Sequence, residues 1–251
     1  MRNKVYDNYL STNQFYLSNP LNLDLSFRIY NANYLKFLPV DKTARILDIG
    51  CGIGHFLAYV KSNNYNNFLG IDISKEQIDH CKKHITKKVQ LINNLQSFLK
   101  ANKNSFDFIL MNDVIEHIER DEIIDTLSLV LASLRKNGVV VIRTVNLKNR
   151  WGMAVRYIDI THTTGFTQES IRQVMLLAGF KNVSLVSEIH PIYDIKSFIR
   201  VFLKGIFEFI YRLEYIASFG AFNPMLSNML IAVGTKTTKS SSLMMDQPIS
   251  H

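Results

Sequence analysis

The sequence predicts an α/β protein: a mostly parallel sheet covered by helices on both faces. A short apolar run ends in Asp48 and gives way at once to Gly50, Gly52 and Gly54, which is how a buried strand hands over to a tight turn and a helix. Downstream, short apolar runs alternate with amphipathic stretches in regular order, a pattern that calls for parallel strands joined by crossover helices. With 251 residues, 47% hydrophobic and 20% charged, the chain suits one large domain, or a domain with an appended lid, and can bury a sizeable core.

In order, residues 1–39 read as a helical arm or cap. Tyr6, Tyr9, Phe15 and Tyr16 are its aromatic anchors, and after Pro20 the positions Phe27, Tyr30, Tyr34 and Phe37 recur near helical spacing until Pro39. The main domain is expected over 40–236. Its first strand feeds a helix over 55–63, and the second strand, Phe68 to Asp72, is followed by Ser74-Lys-Glu-Gln77, a capping-box pattern opening a helix to Ile85. Leu95 to Ala101 is a short helix, and Phe106 to Met111 the next strand. From Glu119 to Arg135, apolar Ile123, Leu127, Val130, Leu131 and Leu134 keep helical spacing, with Gly138 just past the end as the stop. Thr167 is placed to cap a helix ending at Ala178, and Asn182 to Glu188 is a sixth strand. A long amphipathic helix over 194–216 is inserted before the last strand, Asn228 to Thr235. It carries Ile199, Phe202, Leu203, Ile206, Phe209, Ile210 and Leu213 on one face and Lys196, Arg200, Lys204, Glu208 and Arg212 on another. This helix suits a lid, a dimer surface, an interfacial membrane helix, or simple packing on the domain. Residues 237–251 are polar, Ser-rich and without periodicity, the signature of a disordered tail.

Ligands of such sheets lie beyond the carboxyl ends of the strands. Asp48, Asp72, Asn94, Asn112, Asp113 and Asn146 fall there and are expected to converge on one crevice. The glycine loop is of nucleotide-cofactor type, but a dinucleotide fingerprint needs a third glycine where this chain has His55. Gly-x-Gly-x-Gly with an acid two residues upstream resembles motif I of the class I S-adenosylmethionine-dependent methyltransferases. Phe68–Asp72, Val89–Asn94, the run from Phe106 to His117 and Lys136–Arg143 resemble that family's later segments in the right order, over roughly residues 40 to 190. The resemblance implies a Rossmann-like sheet of seven strands, the last one antiparallel between the fifth and sixth, and S-adenosylmethionine as cofactor. It assigns cofactor contacts to Asp48, Gly50, Cys51, Gly52, Gly54, Asp72, Ile73, Asn94, Leu95, Asn112 and Asp113. Among these, Asp72 takes the ribose hydroxyls, and Asn94, where the family usually has Asp, turns its carbonyl to the adenine amine. The aromatic arm would cover the cofactor through Tyr6 and Tyr9, or pack as an ordinary helix.

The run from Arg156 to Thr167 resembles the Asp-x-Thr-His segment, followed by Phe-Thr, of methyltransferases encoded with glycan-building enzymes. Asp159 and His162 are three apart, so the carboxylate is expected to orient the imidazole as a general base for an attacking hydroxyl. The bland alternative has His162 tying the loop to the sheet. His117, beside Glu116, is a further candidate base, with a structural brace as its competing role. The expected activity is methylation, on oxygen, of a small molecule or of a glycan or nucleotide-sugar intermediate in polysaccharide biosynthesis. RNA ribose or cap methylation and a catalytically silent cofactor-binding module are the alternatives; Asn112-Asp-Val-Ile argues against chemistry on a flipped base.

The formal charge of +8 favours an anionic partner, or reflects coding bias towards Lys, since the basic residues are scattered. The amino terminus lacks the apolar core of a signal peptide, and no uninterrupted apolar run approaches a membrane span. Cys51 and Cys81 form neither a Cys-x-x-Cys pair nor a disulfide framework, which points to a reducing, cytoplasmic setting. No ligand cluster suggests a metal. The expected partners are the small-molecule or glycan acceptor, with nucleic acid disfavoured, a membrane surface through 194–216, and a second copy of the chain.

Overall fold

A computed structural model describes residues 5–6, 8–12, 22–220 and 224–237. Phe15, Tyr16, Pro20 and the 238–251 part of the expected tail lie outside the described residues. The elements run α1 (Tyr9–Thr12), α2 (Leu23–Asn33), β1 (Ile46–Ile49), α3 (His55–Ser62), β2 (Phe68–Asp72), α4 (Lys75–His84), β3 (Val89–Leu91), α5 (Leu95–Ala101) and β4 (Phe106–Asn112). They continue with α6 (Ile123–Ser133), β5 (Leu134–Val145), α7 (Gly152–Arg156), α8 (Gln168–Leu177), β6 (Asn182–Ser187), α9 (Ile195–Phe219) and β7 (Met229–Thr235). The seven strands lie in the order β3-β2-β1-β4-β5-β7-β6. Strands β1 to β5 are parallel, and β7 is antiparallel to both neighbours.

Strand side chains alternate between two apolar clusters, as a sheet buried on both faces requires. Leu47, Ile49, Ile109, Met111 and Ile142 meet Leu127 and Val130 of α6 and Ile171 and Met175 of α8. Ile46, Phe108, Leu110 and Val141 meet Phe56, Leu57 and Val60 of α3 and Ile78 of α4. Tyr30 of α2 packs edge-on to Phe56 at 5.6 Å between ring centres, seating α2 on α3. At the end of α2, Asn33 clamps the backbone of Ile189: its Nδ2 donates to the Ile189 carbonyl at 2.9 Å and its Oδ1 accepts from the Ile189 N–H at 2.8 Å.

Caps hold where short polar side chains meet free amides. Thr167 and Ser170 form a reciprocal capping box, as do Asp194 and Ser197, whereas Ser74 accepts from the Gln77 N–H as half of the expected box. The expected stop at Gly138 is corrected. Helix α6 ends at Ser133, because Leu134 turns extended and pairs with Phe106. Leu134 and Arg135 therefore belong to β5, and Gly138 sits inside that strand, where an added Cβ would fall 2.9 Å from the Arg135 carbonyl oxygen.

Candidate functional site

A cavity of about 1760 Å³ opens at the carboxyl ends of β1, β2, β4 and β5. Asp48, Gly50, Cys51, Gly52, Asp72, Ile73, Asn94, Leu95, Asn112, Asp113, His117, Asp159 and His162 all lie on its wall. Gly54 does not. Its φ of +91° and a would-be Cβ 2.3 Å from Cys81 Sγ make it the tight joint between α3 and α4, a packing requirement. Asn146 is also withdrawn from the crevice: it is fully buried, and its Nδ2 donates to the carbonyls of Met225 and Ser227, both at 2.8 Å. The side chain braces the segment before β7.

On the glycine side, Gly50 has φ +68°, and an added Cβ would fall 2.4 Å from Val114 Cγ2. Asp72 accepts from the N–H groups of Gly52 at 2.9 Å and Ser74 at 2.8 Å. Burial still raises its carboxyl above the usual range, against the pull of these backbone donors. Burial, reinforced by Asp72, raises Asp48 further, and burial makes the Cys51 thiol a poor source of thiolate. The expected carbonyl of Asn94 is committed elsewhere: Oδ1 accepts from the Ser97 N–H at 2.7 Å as the cap of α5, so the amide's NH₂ is what Asn94 has to offer a ligand.

The facing wall comes from the segment after β4 and the loop 155–162. Asp113 sits at φ +57° and pairs with Arg143, whose Nε donates to Glu188 Oε1 at 2.8 Å. Tyr34 donates to Asn112 Oδ1, which turns that amide's Nδ2 towards Asp113 Oδ2 at 3.4 Å. Sequence reading passed over Arg143 and Glu188. The available signal was an arginine closing the run Val-Val-Val-Ile, since a charge in a central strand requires buried partners.

The carboxylate–imidazole pairing expected within Asp159–His162 is corrected. Asp159 Oδ1 accepts from the Thr161 N–H at 2.8 Å and hydroxyl at 2.6 Å, and Oδ2 accepts from the Tyr9 hydroxyl at 2.6 Å. Burial raises this carboxyl, but those donors outweigh it and hold Asp159 below the usual carboxylate range. Thr161 gives its proton to Asp159, so its oxygen accepts from His117 Nδ1 at 2.8 Å. His162 is held by the Arg156 carbonyl, 3.1 Å from Nδ1. A carbonyl only accepts, so both imidazoles carry the proton on Nδ1 and keep Nε2 as the basic atom. The two rings are 4.7 Å apart, edge to face.

Glu116 is the unforeseen member. It is 1% exposed; Oε2 accepts from the Thr144 hydroxyl at 3.0 Å, and Oε1 has no hydrogen-bond partner among the described residues. Burial, and then the Asp113 carboxylate, push it up to about 8. Because the folded pKa lies above the unfolded value of 4.5, ionising Glu116 opposes folding, and stability is lost as pH rises from about 4.5 to about 8. Glu116→Gln is therefore expected to nearly match the wild type in unfolding free energy, from urea titration, at pH 5 and to exceed it by a few kcal/mol at pH 8.5. Parallel pH curves for the two proteins would contradict the protonated carboxyl.

The aromatic arm reaches this wall. Tyr6 and Tyr9 stack at 5.8 Å and line the cavity, while the N–H groups of Leu10 and Ser11 donate to Glu76 Oε2 at 3.0 and 3.2 Å. The arm thus bridges from α4, on the glycine side, to Asp159.

A family model for a methyltransferase domain matches residues 25–185. An uncharacterized protein of Rickettsia prowazekii is 30% identical over 162 residues, 61% of this chain and 64% of that protein. A second from the same organism is 26% identical over 185 residues, 67% of this chain and 31% of that protein. The chain thus spans less than two thirds of the length of these curated relatives. Among solved structures, a SAM-dependent methyltransferase from Archaeoglobus fulgidus superposes with a TM-score of 0.65 at 20% identity, covering 89% of this chain and 98% of that one. A possible histamine N-methyltransferase from Thermotoga maritima gives 0.61 at 17% identity, covering 94% and 100%. Phosphoethanolamine N-methyltransferase 2 of Haemonchus contortus, in complex with phosphomonomethylethanolamine and S-adenosylhomocysteine, gives 0.59 at 18% identity, covering 93% and 61%. At such identities the structural likeness is one of fold. The family match runs from α2 through the glycine loop, the Asp113–His117 segment and the 155–162 loop to β6, and on it the chain belongs to the methyltransferase domain family.

Proposed function

We propose that this domain uses S-adenosylmethionine to methylate a hydroxyl of a small molecule or of a glycan or nucleotide-sugar intermediate. When bound, the cofactor supplies an electrophilic methyl group on a sulfonium. The residues present fit it. Gly50 admits no side chain, Asp72 ends β2 with a buried carboxyl, and Asn94 lines the same cavity. A volume of about 1760 Å³ also exceeds the roughly 300–1,000 Å³ of single small-molecule sites, which leaves room for an acceptor beside the cofactor.

His162 is proposed as the base. With Nδ1–H fixed on the Arg156 carbonyl, its Nε2 takes the hydroxyl proton as that oxygen attacks. The neighbouring His117, set by Thr161 and Asp159, is assigned to orient the acceptor. The fixed tautomer of His162 on the cavity wall carries this reading. Two buried free thiols accord with a cytoplasmic setting, and polysaccharide assembly supplies acceptors of this class.

The test is incubation of the purified protein with methyl-labelled S-adenosylmethionine and separate fractions of nucleotide sugars, lipid-linked glycans, quinone lipids and RNA. Label in a sugar or glycan fraction is expected. Label in RNA would overturn the acceptor class, and no label in any fraction would return the domain to a silent binding module. The arm supplies a smaller effect. Tyr9→Phe deletes the hydrogen bond to Asp159, an ionised acceptor at a part-buried site, and is expected to weaken S-adenosylhomocysteine binding about tenfold by calorimetry.

A further inference from the structure

Helix α9 lies the wrong way out. A surface helix ordinarily turns its apolar stripe inward and its charges to water. Here Phe198, Phe202, Ile206, Phe209 and Leu213, which share one face at helical spacing, are between 42 and 61% exposed. The polar side is turned to the protein. The Tyr211 hydroxyl donates to the Lys148 carbonyl at 3.2 Å, the Lys148 ammonium stands 5.6 Å from the Tyr215 ring centre, and Lys204 pairs with Glu208 at 3.5 Å.

Lys148 leads directly into a second apolar surface. Trp151, Tyr157, Ile158 and Ile160 are 67 to 77% exposed, and Ile158 and Ile160 also line the cavity. The outward face of α9 and the loop that edges the cavity are thus two exposed apolar surfaces, joined through Lys148 at the inner side of the helix. Basic side chains flank them: Lys196 and Arg200 lie along one edge of the helical stripe, which Glu214 shares, with Arg150 and Arg156 in the loop. No helix among the described residues is long and apolar enough to cross a membrane.

We propose that α9 and the 151–160 loop are a docking surface for the face of an anionic lipid bilayer. The apolar stripe enters the headgroup boundary, the basic side chains meet lipid phosphates, and Trp151 and Tyr157 take the interfacial position that amphipathic rings favour. A second copy of the chain is the competing occupant. It would bring another surface of the same sign, on a chain of formal charge +8, against this one, whereas an anionic bilayer complements both the charge and the apolar area. Docking in this way sets the cavity edge at the lipid surface, so that an acceptor with an apolar tail reaches it without leaving the membrane.

The test is sedimentation of the whole protein with vesicles of equal parts phosphatidylglycerol and phosphatidylcholine, and with vesicles of phosphatidylcholine alone. Sedimentation velocity without lipid runs alongside. The protein should pellet with the anionic vesicles, less so in high salt, and remain monomeric without lipid. The double variant Phe202→Ser, Phe209→Ser changes only outward side chains. It should keep the wild-type circular dichroism and melting temperature while losing about tenfold in vesicle binding. Failure to bind anionic vesicles, equal binding to neutral ones, or a wild-type dimer that the double variant dissociates would each overturn the proposal. The last result would assign the surface to a second copy.

Discussion

Arg143→Met is expected to destabilise the protein by about 3–5 kcal/mol, the usual cost of removing one partner from a buried ion pair. Arg143 is the cation between Asp113 and Glu188, and the Glu188 side chain is only 5% exposed. Without the guanidinium, the two carboxylates keep only the Asn112 amide, 3.4 Å from Asp113, and the His190 ring, 3.8 Å from Glu188, and Glu188 already acts to raise Asp113. The larger part of the cost falls on Glu188, because Asp113 also faces the cavity and its solvent. An ionised carboxylate carries the penalty, and burial already raises Asp113, so the deficit grows as pH rises through its titration. Urea unfolding at pH 5 and pH 8 checks the sign. The triple variant Arg143→Met, Asp113→Asn, Glu188→Gln, which leaves no charge unpaired, should recover most of the loss. A single variant as stable as wild type at pH 8 would mean that water reaches the network freely.

His162→Ala is expected to lower kcat by about 10²–10⁴ with a hydroxyl acceptor, the span associated with a positioned general base. Binding of S-adenosylhomocysteine should change little, since the glycine loop and Asp72 lie on the opposite wall. A structural role for His162 would disturb binding and melting temperature together. Loss of a base alone leaves both intact and falls on kcat. His117→Ala is the control: as an orienting group it should raise KM more than it lowers kcat. Thr161→Val separates the two further, because it breaks the link from Asp159 to His117 and leaves the Arg156 contact of His162 in place.

Much of this was legible in the chain because it is local. A glycine that must adopt positive φ, a Thr placed just before a helical run, and an acid at the end of an apolar run act within a few residues, and Gly50, Thr167 and Asp72 stand in the structure as their neighbours predict. What failed was decided across the fold. Asp159 and His162 have the right spacing to pair, but the carboxylate is claimed by Thr161 and by Tyr9, 150 residues away. Asn146 stands at a strand end like the cavity residues, yet two carbonyls of the segment before β7 draw its amide inward. Periodicity measured how amphipathic α9 is and nothing about which side it turns to the body. Glu116 appeared as one half of a Glu-His pair, and only burial with one oxygen left over distinguishes it.

The clamp of Asn33 on Ile189 has a mechanical consequence. Two opposed hydrogen bonds resist rotation as well as separation, and the next anchors come close on either side: Glu188 grips Arg143, and Ser197 Oγ accepts from the N–H groups of Tyr193 and Asp194, both at 2.9 Å. The root of α9 is thereby a welded joint, and the helix a strut. A strut transmits torque instead of swinging, so a load on its outer face arrives at Arg143 and the cavity floor.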